Sequence, residues 1–213
     1  MFISTESFSQ FALIFSSRSN VNNATVTIGS GTYTVGRTYV FFINTTAVSD
    51  PTDNPTVSSG GLTLVKRTTV AGGNRRIIVY SITVASTETT AITFTFAESQ
   101  IVHMIATYES VAFPGNVINT QTGTTTGADP SLTVGVTSTA YTIGYFMNDR
   151  DPFGGTAEGS WTEDIDNGLA NPYGQYAVHR NVTTDNTIVV TSASSNWIGA
   201  AIQFSGRRSV IIN

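Results

Sequence analysis

The chain contains no cysteine. Disulfides and thiolate metal sites are therefore excluded, and stability must come from burial and hydrogen bonding. Lysine is almost missing as well: Lys66 is the only one, and glutamate occurs six times. No stretch shows a helix-length amphipathic period, so a helical architecture is excluded too. Charged residues are 11% of the chain, well under the ordinary share. The surface must then be covered mainly by Thr, Ser, Asn and Gly. The net charge of −4 argues against a dedicated nucleic-acid binder, whose phosphate contacts need clustered cations. Long apolar runs are also lacking. Phe11 to Phe15 is too short for a membrane span or a secretory core, and Glu6 stands where a signal peptide would carry basic residues. The expectation is a protein made in a cytoplasm, with no signal peptide, no membrane contact and no cofactor.

What is abundant points to strands. Val, Ile and Thr make up roughly a third of the chain, and β-branched side chains favour a pleated backbone. "AITFTFA" (91–97) alternates Ile92, Phe94 and Phe96 against Thr93 and Thr95, which is the period of a strand with one buried face. "RTYVFFINTT" (37–46) is apolar on both faces and reads as a central strand. "ATVTIGSGTYTV" (24–35) reads as a hairpin turning at Gly29 to Gly31. Further strands are expected over 11–16, 62–67, 74–84, 101–110, 132–138, 140–148, 176–180, 186–192 and 196–204. Residues 149–175 read as the longest irregular segment, of the kind that is usually functional or interfacial. The predicted fold is all-β: an antiparallel two-sheet β-sandwich, jelly-roll-like, of about ten strands. Its divisions are an arm or first strand (1–20), the sandwich (21–205) and an apolar tail (206–213).

No catalytic motif appears. Two histidines, His103 and His179, occur without a Gly-x-Ser-x-Gly elbow, and both read as structural or surface residues. Glu98 and Glu109 flank a strand, but no second carboxylate is placed to face either across a cleft, as a glycosidase requires. The loop "WTEDIDNG" holds Glu163, Asp164 and Asp166. It is one residue short of a calcium loop and lacks the distal Glu, so a solvated turn is the competing reading. Phe153, Trp161 and Tyr173 in the same stretch are candidates for stacking on sugar rings. Lys66, Arg67, Arg75 and Arg76 gather around one hairpin as a candidate docking patch for an acidic protein surface; a guarded strand edge is the alternative.

The order "GRTYVFFINTTA", "GGLTLVKRTTVAGGNRRIIVYSITV", "TAITFTF", "IVHMIATYESV", "TAYTIGYFMN" and "NWIGAAIQF" resembles a loose group of β-sandwich proteins from tailed bacteriophages. These recur as capsid decoration (cement) proteins, head fibres and tail-associated proteins. The resemblance spans about residues 36–205 and carries no shared active site. It implies a non-enzymatic virion component, often trimeric, whose partner is the major capsid protein or another virion protein. A carbohydrate-binding adhesion module, or a tail or fibre component, is the alternative.

The two ends fit an assembly on independent grounds. Val210, Ile211 and Ile212 would each contribute about 1.5–3 kcal/mol if fully buried, before ordering costs. Arg207 and Arg208 beside them can pair with carboxylates. Phe2, Phe8 and Phe11 give the first residues more apolar surface than a free arm should expose. These eight residues are the predicted partner-binding set; the competing reading is that both ends are edge strands of the same domain.

Overall fold

The computed structural model describes residues 11–47, 54–110, 116–126, 129–135, 140–149, 154–159, 161–169, 171–180, 187–192 and 196–205. The expected partner residues Phe2, Phe8, Arg207, Arg208, Val210, Ile211 and Ile212, and the candidate sugar-stacking Phe153, lie outside them. Fifteen strands run through the described residues, rather than about ten. They are β1 (Phe11–Ser19), β2 (Asn23–Tyr33), β3 (Thr38–Ala47), β4 (Thr56–Ser58), β5 (Val65–Gly72), β6 (Arg75–Thr83), β7 (Glu88–Ser110) and β8 (Val117–Thr126). There follow β9 (Ser131–Thr133), β10 (Ala140–Asn148), β11 (Thr156–Ala157), β12 (Thr162–Leu169), β13 (Asn171–Arg180), β14 (Thr187–Thr191) and β15 (Asn196–Ser205).

Two antiparallel sheets pack face to face as a β-sandwich. The first is ordered β1-β7-β3-β6-β5, with β2 and β4 also paired to β7; the second is ordered β12-β13-β10-β15-β8. Val40, Phe42, Ile77 and Tyr108 of the first meet Ile143, Tyr145, Ile198 and Ile202 of the second in the central core. Phe42 stacks on Tyr145 with centroids 5.3 Å apart.

Two further cores lie outside the sandwich, and they explain why strands such as β10 are buried along their whole length. The 23-residue β7 makes the first. Its C-terminal half pairs β1 and β3, and its N-terminal half pairs β2 and β4. Tyr80 sits at the level of Thr107, because Phe41 pairs with both. A flat sheet would hold Phe94 about 40 Å from that level. Instead the Tyr80 and Phe94 rings are 5.4 Å apart. β7 therefore folds back over its own sheet, and both flanking registers slip between Thr95 and Val102, where it bends. Ile92, Phe94 and Phe96 close on Phe41, Ile43 and Ile78. On the opposite side the small sheet β11-β14-β9 covers the second main sheet, with Leu132, Ile188 and Val190 against Phe146, Val178 and Trp197. Gly199 permits this contact, since a Cβ there would lie 2.6 Å from the Phe146 ring.

Three expectations are corrected. Residues 24–35 are not a hairpin: β2 runs on through Gly29 to Gly31 with a bulge and pairs β7 along both halves. Residues 149–175 are not one irregular loop, because they hold β11, β12 and the start of β13. Alternate residues of β12 bond to different layers, so its polar sequence hides the strand period. Residues 91–97 and 101–110 are one strand, not two.

Candidate functional site: a docking corner

Phe11 opens β1 and is 3% exposed. Its ring lies 4.8 Å from that of Phe204 and 6.4 Å from that of Tyr141. Phe11 is thus a core residue, and its assignment to partner binding is corrected: β1 turns it inward against the second sheet. This contact places the two ends of the described body side by side. Ser205, the last described residue, follows Phe204 and donates its backbone N–H to Asn116 O at 2.9 Å. Phe204 in turn pairs with Val117 at the start of β8.

From Val117 a groove of 420 Å³ opens between β5 and β8, lined by Lys66, Arg67, Val117, Ile118, Asn119 and Thr120. Among the described residues each of these strands is the edge of its own sheet, so both leave backbone donors and acceptors on their outer sides. Val65 and Ile118 stand exposed at 44% and 46%. Lys66 Nζ reaches Asn54 Oδ1 at 2.8 Å, and Arg67 Nε donates to Ser81 Oγ at 2.7 Å. The groove combines two cations, two apolar side chains and two open edges, which suits an acidic segment in extended conformation.

Half of the four-cation patch does not belong there. Arg76 is fully buried; it donates from Nε to Thr45 Oγ1 at 2.9 Å and from Nη2 to Gln100 Oε1 at 2.7 Å, and lies 4.5 Å over the Phe96 ring. Arg75 is buried too, with Nη1 on Asn196 O at 2.8 Å. The register is the reason. Arg75 and Arg76 pair with Gly72 and Ala71 beside the turn, while Lys66 pairs with Tyr80 well up the hairpin. Gly73 makes that turn with φ +62°, as a two-residue hairpin loop requires of its first residue.

The sugar-stacking and calcium candidates also change. Trp161 is 7% exposed, packs in the outer core and donates Nε1–H to Thr187 O at 3.2 Å, so its face is not open to a sugar ring. Tyr173 packs, partly buried, against the central core. A bulge at Asp164 turns β12 so that Asp164 and Ile165 both face the first sheet. Asp166 pairs with Tyr176 and shares its outer face, accepting from Gly154 N–H at 2.9 Å. Glu163 accepts from Tyr176 OH at 2.8 Å. Asp164 and Asp166 therefore sit on opposite sides of one strand and cannot share a cation. Among the described residues no group of three or more His, Asp or Glu could hold a metal ion.

Sequence reasoning missed one cluster. Asp164 accepts from His179 Nδ1–H at 2.8 Å and from Tyr108 OH at 2.7 Å, joining the two main sheets. The Tyr108 hydroxyl is held well above its ordinary pKa by burial, and next by the Asp164 charge. Nothing in the spacing signals this triad, because Tyr108 comes from the other sheet. His103 is buried with Nε2 3.1 Å from Asn23 O, and burial lowers its pKa. Glu109 is held by Arg37 at 2.8 Å and by Tyr39 OH at 2.5 Å.

Comparisons with family models, with curated proteins and with solved structures found no match.

Proposed function

We propose that this chain is a non-enzymatic structural protein of a tailed-phage virion, a capsid decoration (cement) protein that bridges neighbouring capsomers. One observation carries the reading: the contact of Phe11 with Phe204, which sets the first and last strands of the described body side by side at one corner. The groove of Lys66 and Arg67 starts from the same corner through Val117. The mechanism is mechanical. Apolar burial at the corner supplies adhesion, and open strand edges supply backbone hydrogen bonds to an extended acidic segment of the major capsid protein or another virion protein. The triple-core body resists deformation under load. A homo-oligomer, a trimer in the favoured form, is the assembling unit.

The test is light scattering on the full chain and on a chain ending at Ser205, followed by co-sedimentation of each with undecorated phage capsids. A closed oligomer that pellets with capsids is expected from the full chain. The shortened chain is expected to fold with an unchanged melting temperature and to stay in the supernatant. Equal behaviour of the two chains in both assays overturns the reading. Binding to host-surface polysaccharide in place of capsids would favour a fibre or adhesion role, with ring contacts other than Trp161.

A further inference from the structure

A second concavity lies on the opposite face of the first sheet from the Phe11–Phe204 contact. It has a volume of 240 Å³ and opens where β1 passes the bulge of β2. Its walls are Phe15, Ile28, Tyr33 and Tyr39, with the Gly29–Gly31 backbone on one side. Tyr33 and Tyr39 meet edge to face at 4.9 Å. The bulge between Leu13 and Phe15 places Ile14, 48% exposed, at the mouth.

One polar atom in the wall has no partner. Thr107 lines the concavity, is 1% exposed, and its Oγ1 makes no hydrogen bond. Thr107 pairs with Phe15 on one side and Phe41 on the other and shares their face of the sheet, so its side chain lies on this side and not in the central core. The Tyr39 hydroxyl is already engaged, donating to Glu109 and accepting from Thr34 N–H at 2.9 Å. A buried hydroxyl left unbonded is destabilising, and a ligand with a matching polar atom would relieve it.

We propose that this concavity is a binding site for a single aromatic ring bearing one hydroxyl, a phenol-class ligand whose OH bonds Thr107 Oγ1 while its ring packs among Phe15, Ile28, Tyr33 and Tyr39. The size fits: an apolar cavity of about 150 Å³ holds benzene, and the larger space here admits a substituted ring. The chemistry fits as well. A sugar carries many hydroxyls that would each need a partner, whereas the inner wall is aromatic and aliphatic and Thr107 Oγ1 is its one buried side-chain polar atom without a bond, the Ser30 and Thr32 side chains lying toward the rim. The ring can belong to a free small molecule or to a tyrosine of a partner chain. The site is independent of the assembly role.

The test uses the full chain and p-cresol, with toluene, N-acetyl-tyrosinamide and methyl glucoside as comparisons, read by calorimetry and thermal shift. Saturable one-to-one binding of p-cresol is expected. Thr107→Val is expected to weaken p-cresol by about 2–10-fold, the worth of one hydrogen bond, and to leave toluene unchanged. The same variant must not lower the melting temperature, since it removes an unbonded hydroxyl. Gly31→Leu is expected to abolish both ring ligands in a folded protein, because a Cβ there meets nothing within 4 Å and its φ is ordinary. Binding of N-acetyl-tyrosinamide as tight as that of p-cresol assigns the ring to a partner's tyrosine; binding of p-cresol alone assigns it to a free phenol. No saturable p-cresol binding, p-cresol binding indifferent to Gly31→Leu, or preference for methyl glucoside overturns the proposal.

Discussion

The ring of Phe11, first residue of the first strand, lies 4.8 Å from that of Phe204, near the end of the last, at an interplanar angle of 33°. The pair closes the central core at one corner and ties β1 to β15. Phe11→Ala should lower stability by about 3–5 kcal/mol, as for other buried aromatic truncations, and shift the denaturant midpoint accordingly. A loss of oligomer without a loss of monomer stability would return Phe11 to the interface.

Tyr108 and Asp164 tie the two main sheets at 2.7 Å. Tyr108→Phe keeps the ring in the core and removes the donor. The Asp164 carboxylate then keeps only His179 of this triad, and a loss of about 1–3 kcal/mol is expected in equilibrium urea unfolding. An unchanged midpoint would show that solvent serves Asp164 equally well.

His103 gives a pH dependence whose sign follows from its lowered pKa. Above about pH 6.5 the residue is neutral in both the folded and the unfolded chain. As pH falls through that value, the unfolded chain takes up a proton that the buried ring refuses. Stability therefore declines from about pH 6.5 downward and levels off below the folded-state pKa. His103→Gln should flatten this segment of a stability–pH curve; a slope unaltered by the substitution would place its origin elsewhere.

The four cations of the β5–β6 hairpin should separate by experiment. Arg76→Ala strips donors from Thr45 and Gln100 in the core and is expected to destabilise by about 3–5 kcal/mol. Lys66→Ala with Arg67→Ala should leave the melting temperature unchanged and weaken capsid co-sedimentation. If the groove pair proves as destabilising as Arg76, the docking assignment of Lys66 and Arg67 fails.

Gly199 probes the outer core. An added Cβ would come 2.6 Å from Phe146, within a layer already filled by Leu132. Gly199→Ala should cost about 1–3 kcal/mol by overpacking, measured as a drop in melting temperature.

Strand identity was legible wherever one face was buried and the other wet. Ile92, Phe94 and Phe96 alternate with threonines, and the structure buries those three on one side of β7. The doubly apolar run 37–46 is a central strand, because local composition reports how many faces are covered. The fate of β12 was not legible. Its carboxylates are held by Tyr108, His179, Tyr176 and Gly154, which lie on other elements, so a polar strand bonded on both faces looks like a solvated loop.

The sequence by itself determined the class: without cysteine, helix period or long apolar run, and rich in β-branched residues, it could bury a core only as antiparallel sheets. The tertiary structure decided which charges are buried and which are free. Arg76 and Lys66 are both cations of one hairpin, yet register puts one under Phe96 and leaves the other on an open edge. It also decided that β7 folds over its own sheet and that Thr107 faces an aromatic-walled concavity. Such outcomes depend on pairing between residues far apart in the chain. Local periodicity reports which face of a strand is apolar, but not which layer comes to cover it.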